Sequence, residues 1–360
     1  MSEFELKEIF DLLCVWYRQA KRDLPWRNTK NPYHIWVSEI MLQQTRVEAV
    51  KPYYARFLEA LPTIQDLAEA EEEKILKLWE GLGYYSRVRN MQTAAQTIMT
   101  EYHGNMPADH KALLGLKGIG SYTAGAVASI AFDLPYPAVD GNVLRVMSRV
   151  FADGQDIMQQ QTKRFWEQKI QTALTPQNAG EVNQALMELG ATICLPNGTP
   201  KCEDCPLRVV CMAYQQGRML DFPVKSEKKT RTQEFLSVCF LTDGTHIALH
   251  KRESGGLLAN LWELPNIEKE KPLPEVLAEW GIWEAEIQPM RQRKHIFTHI
   301  EWHMEGYFVF VKQMTKEDTP FVWVTQAEQE TNYALPSAFQ KIWKDGLSEM
   351  QNMQMSIFEK

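Results

Sequence analysis

The hydrophobic pattern of this 360-residue chain changes period once, and that change limits the folds open to it. Up to about residue 216, apolar residues recur at helical spacing in ELKEIFDLLCVWYRQA, PYHIWVSEIMLQQT, EAVKPYYARFLEAL, EEEKILKLWEGL, RNMQTAAQTIMTEY and NAGEVNQALMELGATIC. Pro and Gly punctuate these runs, and no strand reads among them. After Gly217 the polar, basic FPVKSEKKTRTQ carries no apolar stripe and reads as a linker. Beyond it come the β-like runs EFLSVCFLT, HIALHKR, WHMEGYFVFVKQ and PFVWVT, with helix-like pieces near 274–280 and 336–346. The expectation is a multidomain chain: an all-α domain over 1–216, a linker over 217–233 and an α+β domain over 234–360. The length suits more than one core.

A net charge of −7 excludes a uniformly basic nucleic-acid coat but leaves room for a local patch. Between residues 16 and 56, eight Lys and Arg face only Asp23, Glu39 and Glu48. By charge alone this is a solvated helical face. The opening MSEFELKEIF is acidic and amphipathic, unlike a signal peptide, and no apolar run approaches a membrane span. A soluble, cytoplasmic protein without a membrane partner is expected.

Of six cysteines, Cys14 and Cys239 stand alone, whereas Cys194, Cys202, Cys205 and Cys211 follow C-x7-C-x2-C-x5-C. A disulfide framework would spread its cysteines. Four thiolates so close can enclose one centre, Zn²⁺ or a [4Fe-4S] cluster. The single C-x2-C pair, with Pro206 directly after Cys205, favours iron–sulfur over a zinc ribbon. Nothing in the cluster indicates redox chemistry; holding the preceding helices and a basic loop is its expected work.

LKGIGSYTAGAVASIAF, 116–132, runs from a Gly118-x-Gly120 turn straight into an apolar helix. N–H groups at such a helix start suit a phosphate oxygen. A dinucleotide fold would need a strand before the turn, and DHKALLGL is helical. The context is a helix-hairpin-helix, which grips a nucleic-acid backbone without reading sequence, or else a bare turn between packed helices.

Two carboxylates attract attention. Glu39 shares a helix face with Ile35, Trp36 and Leu42, so burial should raise its pKa and suit it to donate a proton. Asp140 stands just before an apolar helical run, an N-cap position whose N–H groups should favour the charged form. A carboxyl kept protonated beside one kept charged is the arrangement that cleaves a glycosidic bond through an oxocarbenium-like transition state.

These residues, with LPWR at 24–27, IWVSEIMLQQT at 35–45, GLGYYSR at 81–87, GIGSYTAGA at 118–126, VDGNVLRV at 139–146 and NQALMELGA at 183–191, make the helical half resemble the helix-hairpin-helix, iron–sulfur DNA glycosylases. Within them the chain is most similar to the MutY-type adenine DNA glycosylases, a likeness that continues through LLANLWELP, HIFTHIEW and ALPSAF. The resemblance implies a six-helix part over about 30–132, an iron–sulfur part over about 1–29 plus 133–216, and a Nudix-like lesion-recognition domain over 234–360. It implies a monomeric repair enzyme, nucleoid-associated if bacterial. Its partner would be double-stranded DNA in which adenine is mispaired with 8-oxoguanine or G; the adenine is flipped out and removed by hydrolysis.

By the same resemblance Glu39 protonates the adenine and Asp140 steadies the sugar cation, with Tyr122 and Asn142 as supports. Trp26, Arg27 and Gln184 surround the flipped base. Gln44 and Tyr84 wedge into the duplex, Gly118 and Gly120 form the backbone hairpin, and Phe297, Thr298 and His299 read the lesion. Cys194, Cys202, Cys205 and Cys211 hold the [4Fe-4S] cluster.

This chain departs from that family in two places. Its first cysteine gap is seven residues rather than six, and Thr298 stands where serine is usual, keeping the hydroxyl and adding a methyl. Strand cleavage by a bound lyase needs a lysine nucleophile where Tyr122 stands, so a monofunctional enzyme is expected over an endonuclease III-like one. The Nudix-like half lacks the acidic run that binds metal for pyrophosphate hydrolysis, and the two carboxylates weigh against a non-catalytic DNA-binding protein.

Overall fold

A computed structural model describes residues 3–227, 230–314 and 319–358, arranged as two compact units. The first comprises Met1–Glu69 and Arg89–Glu227, the second Ala70–Val88 and Lys228–Lys360. The break in the chain at 227/228 lies inside the expected linker, of which Lys228 and Lys229 are outside the described residues. The segment 70–88 packs with the second unit although it lies within the helical run.

The helical part contains α1 (Glu3–Ala20), α2 (Pro32–Met41), α3 (Val47–Ala60), α4 (Ile64–Glu69), α5 (Glu72–Leu78), α6 (Ser86–Glu101), α7 (His110–Gly115), α8 (Ser121–Phe132), α9 (Gly141–Val150), α10 (Gln160–Gln171), α11 (Ala179–Thr192) and α12 (Met212–Gln215). Of these, α5 lies in the second unit. Among the described residues up to 227 there is no strand, as the pattern predicts.

Local chemistry fixes the helix starts that matter. The Asn31 side chain accepts from the Tyr33 and His34 N–H groups, and Pro32 supplies a preset φ at the first position of α2. Helix α8, composed of small and apolar residues all round, is buried from Thr123 to Ile130 and forms the centre on which α2, α7 and α11 pack. Two glycines permit that closeness. A Cβ on Gly125 would lie 2.0 Å from the Pro137 carbonyl oxygen, and one on Gly180 would lie 2.7 Å from that of Ser129. A second cluster joins α1, α9, α10 and α11 through Leu13, Met147, Trp166 and Leu186. Each such buried side chain contributes roughly 2–3 kcal/mol of transfer free energy.

The second unit is built on a mixed sheet of β1 (Thr232–Thr242), β2 (Ile247–Lys251), β3 (Trp262–Glu263), β4 (Asn266–Glu268), β5 (Ile282–Pro289), β6 (Arg293–Ile296), β7 (Ile300–Met314) and β8 (Val322–Val324). The main order is β3-β2-β1-β7-β5. Strands β1 and β7 run parallel, in register from Thr232↔Ile300 to Thr242↔Phe310, and the other pairings are antiparallel. Both faces are covered. Val238 and Phe240 meet Phe339, Ile342 and Trp343 of α15 (Ser337–Phe358) on one side. Cys239 and Leu241 meet Leu277 of α13 (Leu273–Glu279) on the other. Burial on two faces is why β1 reads as a continuous apolar run. Between β8 and α15, α14 (Gln326–Asn332) begins with a capping box made by Thr325 and Glu328.

Candidate active site

The expected catalytic residues gather in the first unit. Helix α2 carries Glu39 into the interior, where the residue is 6% exposed. Helix α8 turns Tyr122 toward it, and the phenol O–H donates to Glu39 Oε2 at 2.5 Å. Burial is the largest influence on the Glu39 carboxyl. The nearby Asp140 charge adds to it, the Tyr122 bond and the Arg27 charge oppose it, and the pKa rises to about 7. The direction of this shift is the one the apolar face predicts.

Asp140 is the N-cap of α9. Its Oδ1 accepts from the N–H groups of Asn142 at 2.9 Å and Val143 at 2.8 Å, and its Oδ2 from Asn142 Nδ2 at 2.6 Å. The sequence-based expectation of a pKa held low is corrected here. Burial outweighs these hydrogen bonds, and the Asp140 pKa lies above its ordinary value. The pair remains unlike in its partners: Asp140 receives three N–H donors, and Glu39 one phenol. Asn142 is held in turn by Arg145, which also donates to the Gly190 and Cys194 carbonyls at 2.8 Å each.

The residues expected around a base also lie in the first unit. Trp26 lies in a single 3-10 turn, Pro25–Arg27, edge-on to Tyr54 at 5.4 Å between ring centroids. The Arg27 guanidinium sits 5.4 Å over the Tyr17 ring, and the Tyr17 hydroxyl donates to Gln184 Oε1 at 3.1 Å. Sequence reasoning missed the residue that organises this group. Glu188, its side chain fully buried, accepts from Arg27 Nη2 at 2.6 Å, from Arg22 Nε at 2.8 Å and Nη2 at 2.7 Å, and from the Arg22 N–H. A signal existed: an acid inside the apolar run ALMELGA, opposite two arginines in one short loop.

The Glu188 pKa is pulled down to about 2, burial being overcome by the bonds to Arg22 and Arg27. A depressed carboxylate stabilises the fold above its unfolded pKa and loses that contribution as pH falls toward 2. Glu188→Ala is therefore expected to cost about 3 kcal/mol at pH 7, the low end for a broken buried pair because Arg22 is 35% exposed. The deficit should shrink below pH 4 in pH-dependent denaturant titrations. A variant as stable as the parent at pH 7 contradicts this.

The basic segment is less free than its count suggests. Among the described residues, five of its eight cations have an acid partner: Arg18 with Glu181, Arg22 and Arg27 with Glu188, Lys30 with Asp133 and Lys51 with Glu48. In the hairpin, Gly118 has φ +77° and a Cβ there would lie 2.6 Å from Asn90 Cβ, so glycine is required. Gly120 caps α8 at φ −91° with open space beside it, so its need for glycine is not conformational.

The two expected wedge residues share an unusual backbone. Gln44 has φ +59° and Tyr84 φ +47°, both exposed and both in the left-handed region that non-glycine residues rarely occupy. Such conformations cluster at functional positions. Tyr84 belongs to the second unit, as do Phe297, Thr298 and His299, which form the turn between β6 and β7. Phe297 packs edge-on to Trp302 at 4.8 Å, anchoring the turn, while Thr298 and His299 are exposed. The hydroxyls of Thr298 and Tyr84 are 2.9 Å apart.

All four clustered cysteines line one cavity of about 30 Å³ with Val146, Arg149, Leu189 and Leu207. Burial and the neighbouring thiols raise Cys205 to about 12 and raise Cys202 and Cys211. Arg149 donates to Cys194 Sγ at 3.2 Å. Among the described residues no three side chains stand at the spacing of a shared metal ion. The donor set nevertheless suits a four-thiolate centre: four thiols line one small cavity, and the Arg149 cation lies beside them.

Residues 37–172 match the HhH-GPD superfamily base excision DNA repair protein family, and residues 237–345 the NUDIX domain family. An adenine DNA glycosylase of Rattus norvegicus is 35% identical over 92% of this chain and 76% of its own length. One of Buchnera aphidicola subsp. Acyrthosiphon pisum is 31% identical over 98% and 99%. The solved structure of a thermostable thymine-DNA glycosylase is 28% identical, with a TM-score of 0.54 over 59% of this chain and 98% of its own.

Proposed function

The chain belongs to the adenine DNA glycosylases of the helix-hairpin-helix superfamily, and from that membership we propose that it removes adenine mispaired with 8-oxoguanine or G in double-stranded DNA, by hydrolysis, as a monomer and without strand cleavage. The family membership makes it a base-excision repair enzyme that acts on DNA and releases adenine. The observation that carries the finer reading is the buried Glu39, bonded to Tyr122 and set against Asp140 on the helix cap.

In this mechanism Glu39 gives its proton to a ring nitrogen of the flipped adenine, making a poor anionic leaving group neutral. The bond from adenine to C1′ breaks and its electron pair leaves with the base. Asp140 offsets the cation that develops on the sugar. Water adds to C1′ and its proton passes to solvent, leaving an abasic sugar. Tyr122 orients Glu39, and Asn142 orients Asp140. Trp26, Arg27 and Gln184 wall the base, and Glu188 steadies Arg27. Gln44 and Tyr84 fill the gap left in the stack, Gly118 and Gly120 hold the DNA backbone, and Phe297, Thr298 and His299 read the opposite base.

Cys194, Cys202, Cys205 and Cys211 would hold a [4Fe-4S] cluster, which would serve as a staple with no part in the bond cleavage. It would fix the loop whose Cys194 carbonyl accepts from Arg145, the residue that also holds Asn142. Iron and sulfide assays on anaerobically purified protein should give four of each per chain. Stoichiometric zinc with no iron overturns the assignment.

Helix α8 offers Tyr122 where a lyase would carry its amine, which supports a monofunctional enzyme. Among the described residues no helix is long and apolar enough to cross a membrane. The decisive test is single-turnover excision on duplexes bearing A opposite 8-oxoguanine, G or T, with borohydride present in a parallel reaction. Release from the first two and no trapped adduct is expected. Equal release opposite T, or a rapidly trapped adduct, contradicts the reading.

A further inference from the structure

We propose that Arg87 is a positioning residue for mispair recognition: it holds the loop that presents Tyr84, and it does so from inside the protein. The inference rests on the reading of Tyr84 as the duplex wedge and adds the device that keeps it poised.

The loop after α5 is hard to hold. Gly81, Gly83 and Tyr84 have φ values of +98°, +70° and +47°. Glycine tolerates this, but a tyrosine needs surroundings that over-determine it. Three carbonyls of the loop turn toward one guanidinium. Arg87 Nη2 donates to the Leu82 and Gly83 oxygens at 3.0 and 2.9 Å, and Nε to the Tyr84 oxygen at 3.4 Å. The Arg87 N–H donates to the same Tyr84 oxygen at 2.9 Å. The guanidinium also lies 5.3 Å over the Trp79 ring and 5.6 Å over the Tyr84 ring. Trp79, fully buried, gives its Nε1–H to the Gly83 oxygen at 3.1 Å and so closes the cage.

Sinking a cation among carbonyls and rings is costly, and burial lowers the Arg87 pKa to about 10, which still leaves it charged at neutral pH. Only a planar fork can span three carbonyl oxygens. Lysine, a single point of charge, can satisfy part of that set and leave the rest. The result is a tyrosine that stands 48% exposed on a backbone fixed from beneath. Its hydroxyl is tied to Thr298 at the far end. With the wedge already ordered, insertion into the duplex need not include the entropy of ordering the loop.

The test uses the full chain and a duplex with 8-oxoguanine opposite 2′-fluoro-2′-deoxyadenosine, which binds without release. Affinities are measured for the parent, Arg87→Met, Arg87→Lys, Tyr84→Ala and the Tyr84→Ala/Arg87→Met double variant. Excision of ordinary adenine is measured at saturating enzyme. Arg87→Met should weaken binding about tenfold, the effect of roughly one charged hydrogen bond. Arg87→Lys should recover part of that loss, and saturated excision should stay within about twofold of the parent. In the Tyr84→Ala background Arg87→Met should cost nothing further.

Parent-like binding by Arg87→Met overturns the proposal. So does a loss that multiplies with that of Tyr84→Ala, or a loss confined to the saturated rate. If Arg87→Met fails to fold by circular dichroism, Arg87→Lys, singly and with Tyr84→Ala, decides by the same criteria. Parent-like binding by Tyr84→Ala alone removes the wedge reading itself, a result distinct from failure of the Arg87 assignment.

Discussion

Glu39→Gln is expected to lower single-turnover adenine release by roughly 10³-fold while duplex binding survives, the loss typical of a removed general acid. The same variant should be more stable than the parent above pH 7. The folded enzyme holds a proton on Glu39 up to about pH 7, whereas an unfolded glutamate releases it near 4.5. Between these values the folded state becomes progressively less favoured as pH rises, and the deficit persists above them. Glutamine never bears the charge, so Glu39→Gln should recover up to about 3 kcal/mol at pH 8 and nothing at pH 4. Thermal midpoints at the two pH values read this directly. Near-parent release, or a midpoint lowered at pH 8, contradicts the assignment of Glu39 as a buried proton donor.

Asp140→Asn should lower release by about 10²- to 10³-fold, the scale on which a fixed charge is lost from a developing cation. Asparagine caps helices nearly as well as aspartate, so the thermal midpoint should move little. The two carboxyls also set the shape of the pH profile for the parent. Release needs Asp140 charged and Glu39 protonated. The acid limb therefore lies above the ordinary aspartate value, and the alkaline limb near 7. Asp140→Asn should remove the acid limb and keep the alkaline one. A variant with more than a tenth of parental activity, or one that keeps both limbs, is inconsistent with the role.

The period of apolar residues made most helices up to residue 216 and strands β1, β2, β7 and β8 legible, because burial on one face or two leaves a periodic trace, whereas α4, α10 and α12 were not picked out. Strand β5 escaped although its Trp283 and Ile287 alternate with Glu284 and Glu286, because that strand is mostly exposed. The parallel register of β1 with β7 is a property of two segments far apart, which no local pattern carries. The same holds for residues 70–88, whose helical pattern was visible but whose packing with the second unit was not. In the site, Glu39 and Asp140 could be found by placement alone. The balance of burial against hydrogen bonds on Asp140, and the ion pairs that turn Arg22 and Arg27 onto Glu188, needed three dimensions.

Glycines 125, 180 and 190 bear on the gene as well as on the fold. A Cβ at the last would meet Asn142 Cβ at 2.7 Å, beside the cap that holds Asp140, just as those at the other two would strike main-chain oxygens. Glycine codons begin with two guanines. On the proposed substrate, an unrepaired adenine opposite oxidised guanine is copied into a T:A pair, which turns such a codon into one for valine, cysteine or another bulkier residue. Failure of this enzyme thus favours substitutions that these three close-packed positions cannot accept, and a cell that begins to lose the activity makes further loss more frequent.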